Sequence, residues 1–148
     1  MPASTIRLHR VLKAPADRVY RAFLDGAALA KWLPPDGFTC TVDHIDATVG
    51  GTYQMAFTNF SSGNSHSFGG RYEELAPGER LRYASWFDDP NLPGTMQTTI
   101  ELRAVFCGTE LTVVQAGIPE VIPSEACYLG WQESLTLLAR LVEPTIPG

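Results

Sequence analysis

The segment from Pro123 to Val142 constrains the fold most, because it is the one long stretch with clean helical periodicity. Its apolar residues recur at spacings of three or four, which predicts an amphipathic helix with one broad apolar face. Ser124 stands where a helix cap is expected, and Pro144 ends the segment. A helix of about twenty residues is roughly 30 Å long, enough to lie across a small sheet. The apolar stripe consists of Cys127, Trp131, Leu135, Leu138 and Val142, widened by Leu137 and Leu141.

Residues 38–115 read as a series of β-strands. In each strand apolar side chains alternate with polar ones, as expected when one face of an antiparallel sheet is buried. Gly50-Gly51, Pro77-Gly78 and Cys107-Gly108 mark turns between strands. The residues of the inward parity include Phe38, Cys40 and Val42; Tyr53, Met55 and Phe57; His66, Phe68, Gly70 and Tyr72; Met96, Thr98, Ile100 and Leu102; and Leu111, Val113 and Gln115.

The N-terminal part of the chain predicts one strand and two short helices. Thr5 to Lys13 alternates as a strand, and Asp17 begins or lies in the first turn of a short helix. Gly26 is expected to break that helix, and Ala27 to Leu33 forms a second one. The run Pro34-Pro35-Asp36-Gly37 then ends the helical region, because the residue before a proline avoids the helical conformation.

The resulting order is one strand, two short helices, six strands and one long helix. This order predicts an α+β helix-grip fold in a single domain over residues 1–148, with a curved antiparallel sheet around the terminal helix. Because a sheet curls and a helix is straight, the two need not touch along their full length. The gap would be a cavity lined by the inward parity of the strands, and such cavities are ligand sites.

Composition excludes several classes of partner. The net charge of −5 and the absence of a basic cluster argue against nucleic acid. No stretch has the length and apolarity of a membrane span or a signal-peptide core, so no membrane partner is expected. Cys40, Cys107 and Cys127 are odd in number without C-x-x-C spacing, which indicates reduced thiols in a cytoplasmic protein. The histidines lie far apart, and the sequence predicts neither metal site, cofactor nor catalytic motif.

Four segments carry a family resemblance, in the family's order. They are Ala14-Pro15 with Val19 to Phe23, Trp32 and Pro35; Val49 to Tyr53; Gly70 to Leu81; and Gly130-Trp131 with Leu135. Together they resemble the activator of Hsp90 ATPase homologue 1-like (AHSA1-like) family of the START/Bet v 1-like (SRPBCC) superfamily. The resemblance covers essentially the whole chain and implies a β-α-α-β6-α grip, often with an apolar cavity. It implies no single activity, because the fold hosts binding proteins, cyclases and hydrolases.

The interpretation that follows is a protein that binds a small apolar or aromatic molecule in the cavity. One alternative is a cyclase- or hydrolase-like enzyme, which would need His66 or Tyr53 to point inward as a titratable group. Another is a co-chaperone-type protein-interaction module, although the eukaryotic co-chaperones of the family carry an additional domain that this chain lacks. A monomer and a homodimer both remain open. The predicted ligand-binding residues are Trp32, Phe38, Tyr53, Met55, Phe57, Phe68, Tyr83, Met96, Thr98, Ile100, Val113, Gln115, Trp131 and Leu135.

Three residues have more than one interpretation. Trp32 could contact a ligand or anchor the packing, because tryptophan buries a large area. Gln115 should point inward, where its amide could bond to a ligand, to the backbone or to a water. Gly130 inside a helix costs about 1 kcal/mol relative to alanine, so it indicates either close approach of another element or room for a ligand. Ser85 shares the parity of Tyr83 and is a weaker candidate for a polar contact.

Overall fold

A computed structural model describes residues 4–148. Seven strands and three helices follow one another in the predicted order. The elements are β1 (Ser4–Leu12), α1 (Ala16–Ala22), α2 (Gly26–Trp32), β2 (Phe38–Ile45), β3 (Thr52–Asn59), β4 (Ser65–Ala76), β5 (Arg80–Phe87), β6 (Met96–Val105), β7 (Gly108–Ile118) and α3 (Ser124–Val142).

All seven strands form one antiparallel sheet in the order β1-β7-β6-β5-β4-β3-β2. Strands β2 to β7 pair with their neighbours along the chain, and β1 closes the series by pairing with β7. Alternate residues of each strand form cross-strand rows that face α3, as the period of two requires. The α+β helix-grip prediction is confirmed.

Helix α3 buries the stripe that its sequence predicts. Trp131, Leu135, Leu138 and Val142 are each at most 8% exposed. The predicted cap is wrong by one residue, because Pro123 already has the extended backbone of a cap (φ −60°, ψ 130°). Helical geometry therefore begins at Ser124 itself, and no side chain caps the helix.

The boundary between α1 and α2 also differs from the sequence prediction. Asp25 caps α2, since its Oδ1 accepts a hydrogen bond from the backbone N–H of Ala28 at 3.0 Å. Gly26 is consequently the first residue of α2 rather than the break between the helices. The chain reverses at residues 23–25, after α1 has ended at Ala22.

One end of the sheet is filled by the helix. The row Leu81–Ile100–Val113, which crosses β5, β6 and β7, is fully buried. Leu135 and Leu138 of α3 belong to the same hydrophobic core and are at most 2% exposed. The pocket between sheet and helix lies toward the other end of the grip, on the side of Trp131.

Candidate ligand pocket

An open pocket lies between the concave face of the sheet and the first half of α3. Its volume is about 270 Å³, and its surface is mostly apolar. Strands β3 to β7 form one wall, α3 forms the second, and the loop after α2 forms part of the rim. The lining residues are Leu33, Pro35, Tyr53, Phe57, His66, Phe68, Tyr83, Ser85, Phe87, Met96, Gln115, Cys127, Gly130, Trp131 and Ser134.

The sheet wall depends on a glycine. Tyr53, Gly70, Ser85 and Met96 occupy one cross-strand row over β3, β4, β5 and β6. The Tyr53 ring lies so closely over Gly70 that a Cβ there would collide with its Cε2, Cζ and Oη atoms. The phenol thus reaches across β4 toward Ser85, the next residue of the row. Only glycine at position 70 permits this arrangement.

A second cross-strand row carries a buried polar network. Tyr83, Thr98 and Gln115 are neighbours over β5, β6 and β7. Gln115 Nε2 donates to Thr98 Oγ1 at 3.0 Å. Gln115 Oε1 accepts from Trp131 Nε1 and from Cys127 Sγ, each at 3.1 Å. The amide therefore links the sheet to α3 and has its oxygen fully occupied. The partners that the structure shows are side chains, which the sequence prediction did not include.

The helix wall has a gap at Gly130. A Cβ built on Gly130 would meet no atom within 4 Å, so no neighbouring element requires the glycine. Of the two interpretations of this residue, close approach is thereby excluded, and its missing side chain adds to the pocket volume. Trp131 and Ser134 complete this wall one turn further on.

The rim is held to α3 by two hydrogen bonds. Ser134 Oγ donates to the carbonyl oxygen of Leu33 at 2.6 Å. The backbone N–H of Asp36 donates to Glu133 Oε1 at 3.1 Å. These contacts fix the loop between α2 and β2 beside the pocket. His66, which is exposed, lies on the sheet side of the rim, and no Asp, Glu, Lys or Arg is among the lining residues that the structure describes.

The phenols in and beneath the pocket stay neutral. The rings of Tyr53, Tyr72 and Tyr83 lie 5.6–6.3 Å apart between centroids. Burial raises the pKa of each, and the neighbouring phenols raise the pKa of Tyr53 and Tyr72 further. The neighbouring hydroxyl groups of Ser85, beside Tyr53, and of Thr98, beside Tyr83, act in the opposite direction without cancelling these increases in pKa. The pocket thus presents uncharged hydroxyl groups at neutral pH.

Seven of the fourteen predicted binding residues line this pocket. They are Tyr53, Phe57, Phe68, Tyr83, Met96, Gln115 and Trp131. Their inward direction follows from strand and helix periodicity. Whether they contact a ligand stays a prediction.

The other seven predicted residues do not line it. Ile100, Val113 and Leu135 belong to the filled end of the core, and Thr98 is covered by Gln115. Phe38 is half-buried at the start of the edge strand β2, one row beyond the pocket. Met55 and Trp32 border a separate void of about 20 Å³, which holds no more than a water-sized group.

Trp32 is a packing anchor in this structure. It is fully buried, and its Nε1 donates to the carbonyl oxygen of Ala22 at 2.9 Å. Its ring meets Phe23 edge-on, with centroids 4.8 Å apart. The side chain thus joins α1 to α2 behind the pocket, and the ligand-contact interpretation does not fit its position.

Several lining residues are absent from the predicted set. Phe87 and Ser85 share the inward parity of β5, a signal that the neighbouring Ala84 and Trp86 obscured. Cys127 belongs to the apolar stripe of α3 but was assigned to the helix packing, and Ser134 lies beside that stripe, where its small polar side chain gave no sign of an inward role. Leu33 and Pro35 belong to a loop, and a loop has no periodicity that reveals its inward face.

A curved antiparallel sheet that holds a terminal helix over an apolar pocket defines a helix-grip protein of the START/Bet v 1-like type. The sequence model of the family described as Activator of Hsp90 ATPase homolog 1-like protein matches residues 13–143. The chain belongs to this family, and the resemblance seen in its four segments is confirmed.

Solved structures share the fold of this chain. A protein from Chromobacterium violaceum is 64% identical, with 95% of this chain and 98% of that chain covered and a TM-score of 0.94. A protein from Rhodobacter sphaeroides (22% identical, 93% and 91% covered, TM-score 0.83) shares the fold. So does an AHSA1-like protein from Aeromonas hydrophila (18% identical, 95% and 92% covered, TM-score 0.77). No curated protein matches the sequence.

Within residues 4–148, no three His, Cys, Asp or Glu side chains come together as potential metal ligands. None of the helices in this described part combines the length and apolarity that crossing a membrane requires.

Proposed function

We propose that this protein binds a small apolar or aromatic molecule between α3 and the concave face of the sheet. The observation that carries the proposal is the open, mostly apolar pocket of about 270 Å³. Its volume is close to the lower end of the range of ligand sites, about 300–1,000 Å³, so a compound of one or two rings fits best. Two depressions elsewhere, of about 220 and 420 Å³, include several charged side chains and lack a comparable apolar wall.

The expected affinity is moderate. A ligand that buries roughly 200 Å² of its own apolar surface together with roughly 150 Å² of pocket wall gains about 9 kcal/mol at 25 cal/mol per Å². Association costs at least about 4 kcal/mol in lost translational and rotational freedom, and the rigid walls add little further cost. At most about 5 kcal/mol remains, so we expect dissociation constants in the submillimolar to millimolar range for simple ring compounds.

Binding fits the pocket better than acid–base catalysis. A general acid–base pair needs two titratable groups with suitable pKa values near the reacting atoms. His66 is the one imidazole of the lining, it lies at the exposed rim, and no carboxylate accompanies it among the lining residues described. Cys127 does not supply a nucleophile, because burial raises the pKa of its thiol and the thiol donates to Gln115.

We infer a cytoplasmic location for this binding function. Cys40, Cys107 and Cys127 are all free thiols. Cys107 is exposed and has no disulfide partner, which is typical of a reducing compartment.

The test combines native mass spectrometry with a thermal-shift titration. Freshly purified protein should carry a co-purified small molecule that is lost on denaturation, or it should bind naphthalene and indole when these are added. A ligand at about ten times its Kd stabilises the folded state by about 1.4 kcal/mol, which raises Tm by roughly 3–6 °C in a chain of this size.

A matched pair of variants locates the binding. Phe57 lines the pocket and packs edge-on against Phe68 at 4.9 Å, whereas Phe60 is 79% exposed at the β3–β4 turn. Phe57→Ala should weaken naphthalene binding several-fold, and Phe60→Ala should leave it unchanged. No bound molecule and no shift with any neutral ring compound would refute the proposal.

A further inference from the structure

Most polar groups of the pocket are already engaged. Trp131 Nε1 can only donate, so its hydrogen bond to Gln115 fixes which end of the amide is the oxygen. The amide nitrogen must then be the group that donates to Thr98 Oγ1 at 3.0 Å. Cys127 also donates to the amide oxygen, and Ser134 donates to a backbone carbonyl of the rim. To a guest molecule these residues present mainly carbon surface.

The hydroxyl protons on the sheet wall are the exception. Tyr83 lies beside Thr98 in one cross-strand row and lines the pocket, so its neutral phenol can donate to an oxygen bound there. Tyr53 and Ser85 lie in one cross-strand row and also line the pocket, and even two hydroxyls that bond to each other use only one of their two protons.

These three residues, Tyr53, Ser85 and Tyr83, form a hydroxyl cluster on one patch of the wall. Tyr53 and Ser85 share a cross-strand row, and Tyr83 precedes Ser85 by two residues on β5, so it faces the same side. All three line the pocket. Each of these hydroxyl groups can donate a proton to an acceptor in the pocket.

The charge of the surroundings limits which acceptor is suitable. The phenols stay neutral because burial raises their pKa, and the lining residues described include no Lys or Arg. A buried carboxylate would lack a cationic partner, and burying an unpaired charge is strongly unfavourable. A neutral carbonyl or ether oxygen accepts the same hydrogen bonds without that penalty.

We propose, building on the binding function above, that the pocket selects neutral aromatic compounds bearing one oxygen acceptor, such as aryl ketones. The oxygen is directed at the hydroxyl cluster, and the rings lie against Met96, Phe87 and Trp131. The apolar wall supplies affinity, and the hydroxyl cluster supplies orientation and selectivity.

Three probes of similar shape test this selectivity: 2-acetylnaphthalene, 2-isopropylnaphthalene and 2-naphthoate. Their Kd values are measured by isothermal titration calorimetry with the wild-type protein and with Tyr83→Phe and Ser85→Ala. Tyr128→Phe is the matched control, since Tyr128 is 37% exposed on α3 and lies outside the pocket. Tm values measured without ligand establish that each variant is folded. If Tyr83→Phe does not fold, the Ser85→Ala variant alone tests the selectivity.

We expect each cluster variant to weaken binding of the ketone by about three- to tenfold, the range of one neutral hydrogen bond. Binding of the hydrocarbon should change less than twofold, and 2-naphthoate should bind at least tenfold more weakly than the ketone. Equal losses for ketone and hydrocarbon, or no loss for either, would overturn the selectivity while leaving the binding function intact. If none of the probes binds the wild-type protein, the binding function itself is refuted, and the selectivity with it.

Discussion

Substitutions at Gly130 should change folding stability and ligand binding independently of each other. This glycine lies inside α3, borders the pocket, and would have no atom within 4 Å of an added Cβ. Glycine in a helix interior costs about 1 kcal/mol relative to alanine. Because nothing opposes the added methyl group, Gly130→Ala should raise the free energy of unfolding by up to about 1 kcal/mol. For a chain of this size, Tm of the unliganded protein should rise by about 2–4 °C.

A larger side chain at the same position should block the pocket. In Gly130→Phe the ring enters a space of about 270 Å³ that a one- or two-ring ligand would need. Phenylalanine is a better helix former than glycine by roughly half a kcal/mol, and the ring gains apolar contacts in the pocket. The unliganded variant should therefore be at least as stable as the wild type while it loses ligand binding. Gln132→Phe places the same ring on the exposed side of α3 and serves as the control.

The assay is a thermal-shift titration with indole at about ten times its wild-type Kd. Binding then stabilises the folded state by about 1.4 kcal/mol, so the wild-type protein and Gln132→Phe should each gain roughly 3–6 °C, and Gly130→Phe should gain nothing. A lower Tm in unliganded Gly130→Ala would show that the space beside α3 is not open. A full ligand-induced shift in Gly130→Phe would show that the ligand binds elsewhere. Either result contradicts the reasoning from the pocket.

Three further predictions concern the network around the pocket. Gly70→Ala should destabilise the fold by about 1–3 kcal/mol in urea unfolding, because the added methyl group collides with the Tyr53 ring. The loss should be smaller when Gly70→Ala is made in a Tyr53→Ala variant, which lacks that ring. Equal losses in the wild-type and Tyr53→Ala backgrounds would contradict the contact. Gln115→Leu should cost about 1–3 kcal/mol in the same assay, since Trp131 Nε1 loses its acceptor, whereas Gln97→Leu on the exposed face should change little. Above about pH 10 the unfolded chain releases phenolic protons that the buried tyrosines retain, so stability should fall by about 1.4 kcal/mol per pH unit for each of them. Between pH 10 and 11, Tyr72→Phe should remove one such contribution from the slope of unfolding free energy against pH. An unchanged slope would contradict the raised pKa of Tyr72.

Where a strand or helix is regular, the sequence predicts which side chains face the inside of the fold. Phe57, Phe68 and Met96 follow the period of two, and Trp131 follows the helical period, so each was expected to face inward. The same periods did not distinguish Met96, which lines the pocket, from Ile100, which is fully buried four residues later. Both have the inward parity of β6, and only their position along the strand separates them.

Gln115 shows the same limit for a polar residue. Its sequence position predicted an inward amide, and the amide does point inward. Its partners come from β6 and from α3, and no local pattern reveals how far those elements lie from it. The sequence left a ligand, the backbone and a water as possible partners, whereas the structure brings three side chains to the amide.

The sequence by itself determined the order of the elements and the inward face of each, because both follow from backbone periods set by residues a few positions apart. The tertiary structure alone decided where sheet and helix touch and where they separate. That separation depends on sheet curvature and on contacts between distant residues, such as the hydrogen bond from Ser134 to Leu33 across 101 positions of sequence. Periodicity carries no information about such distances, so the pocket at Gly130 becomes visible only when both walls are in place.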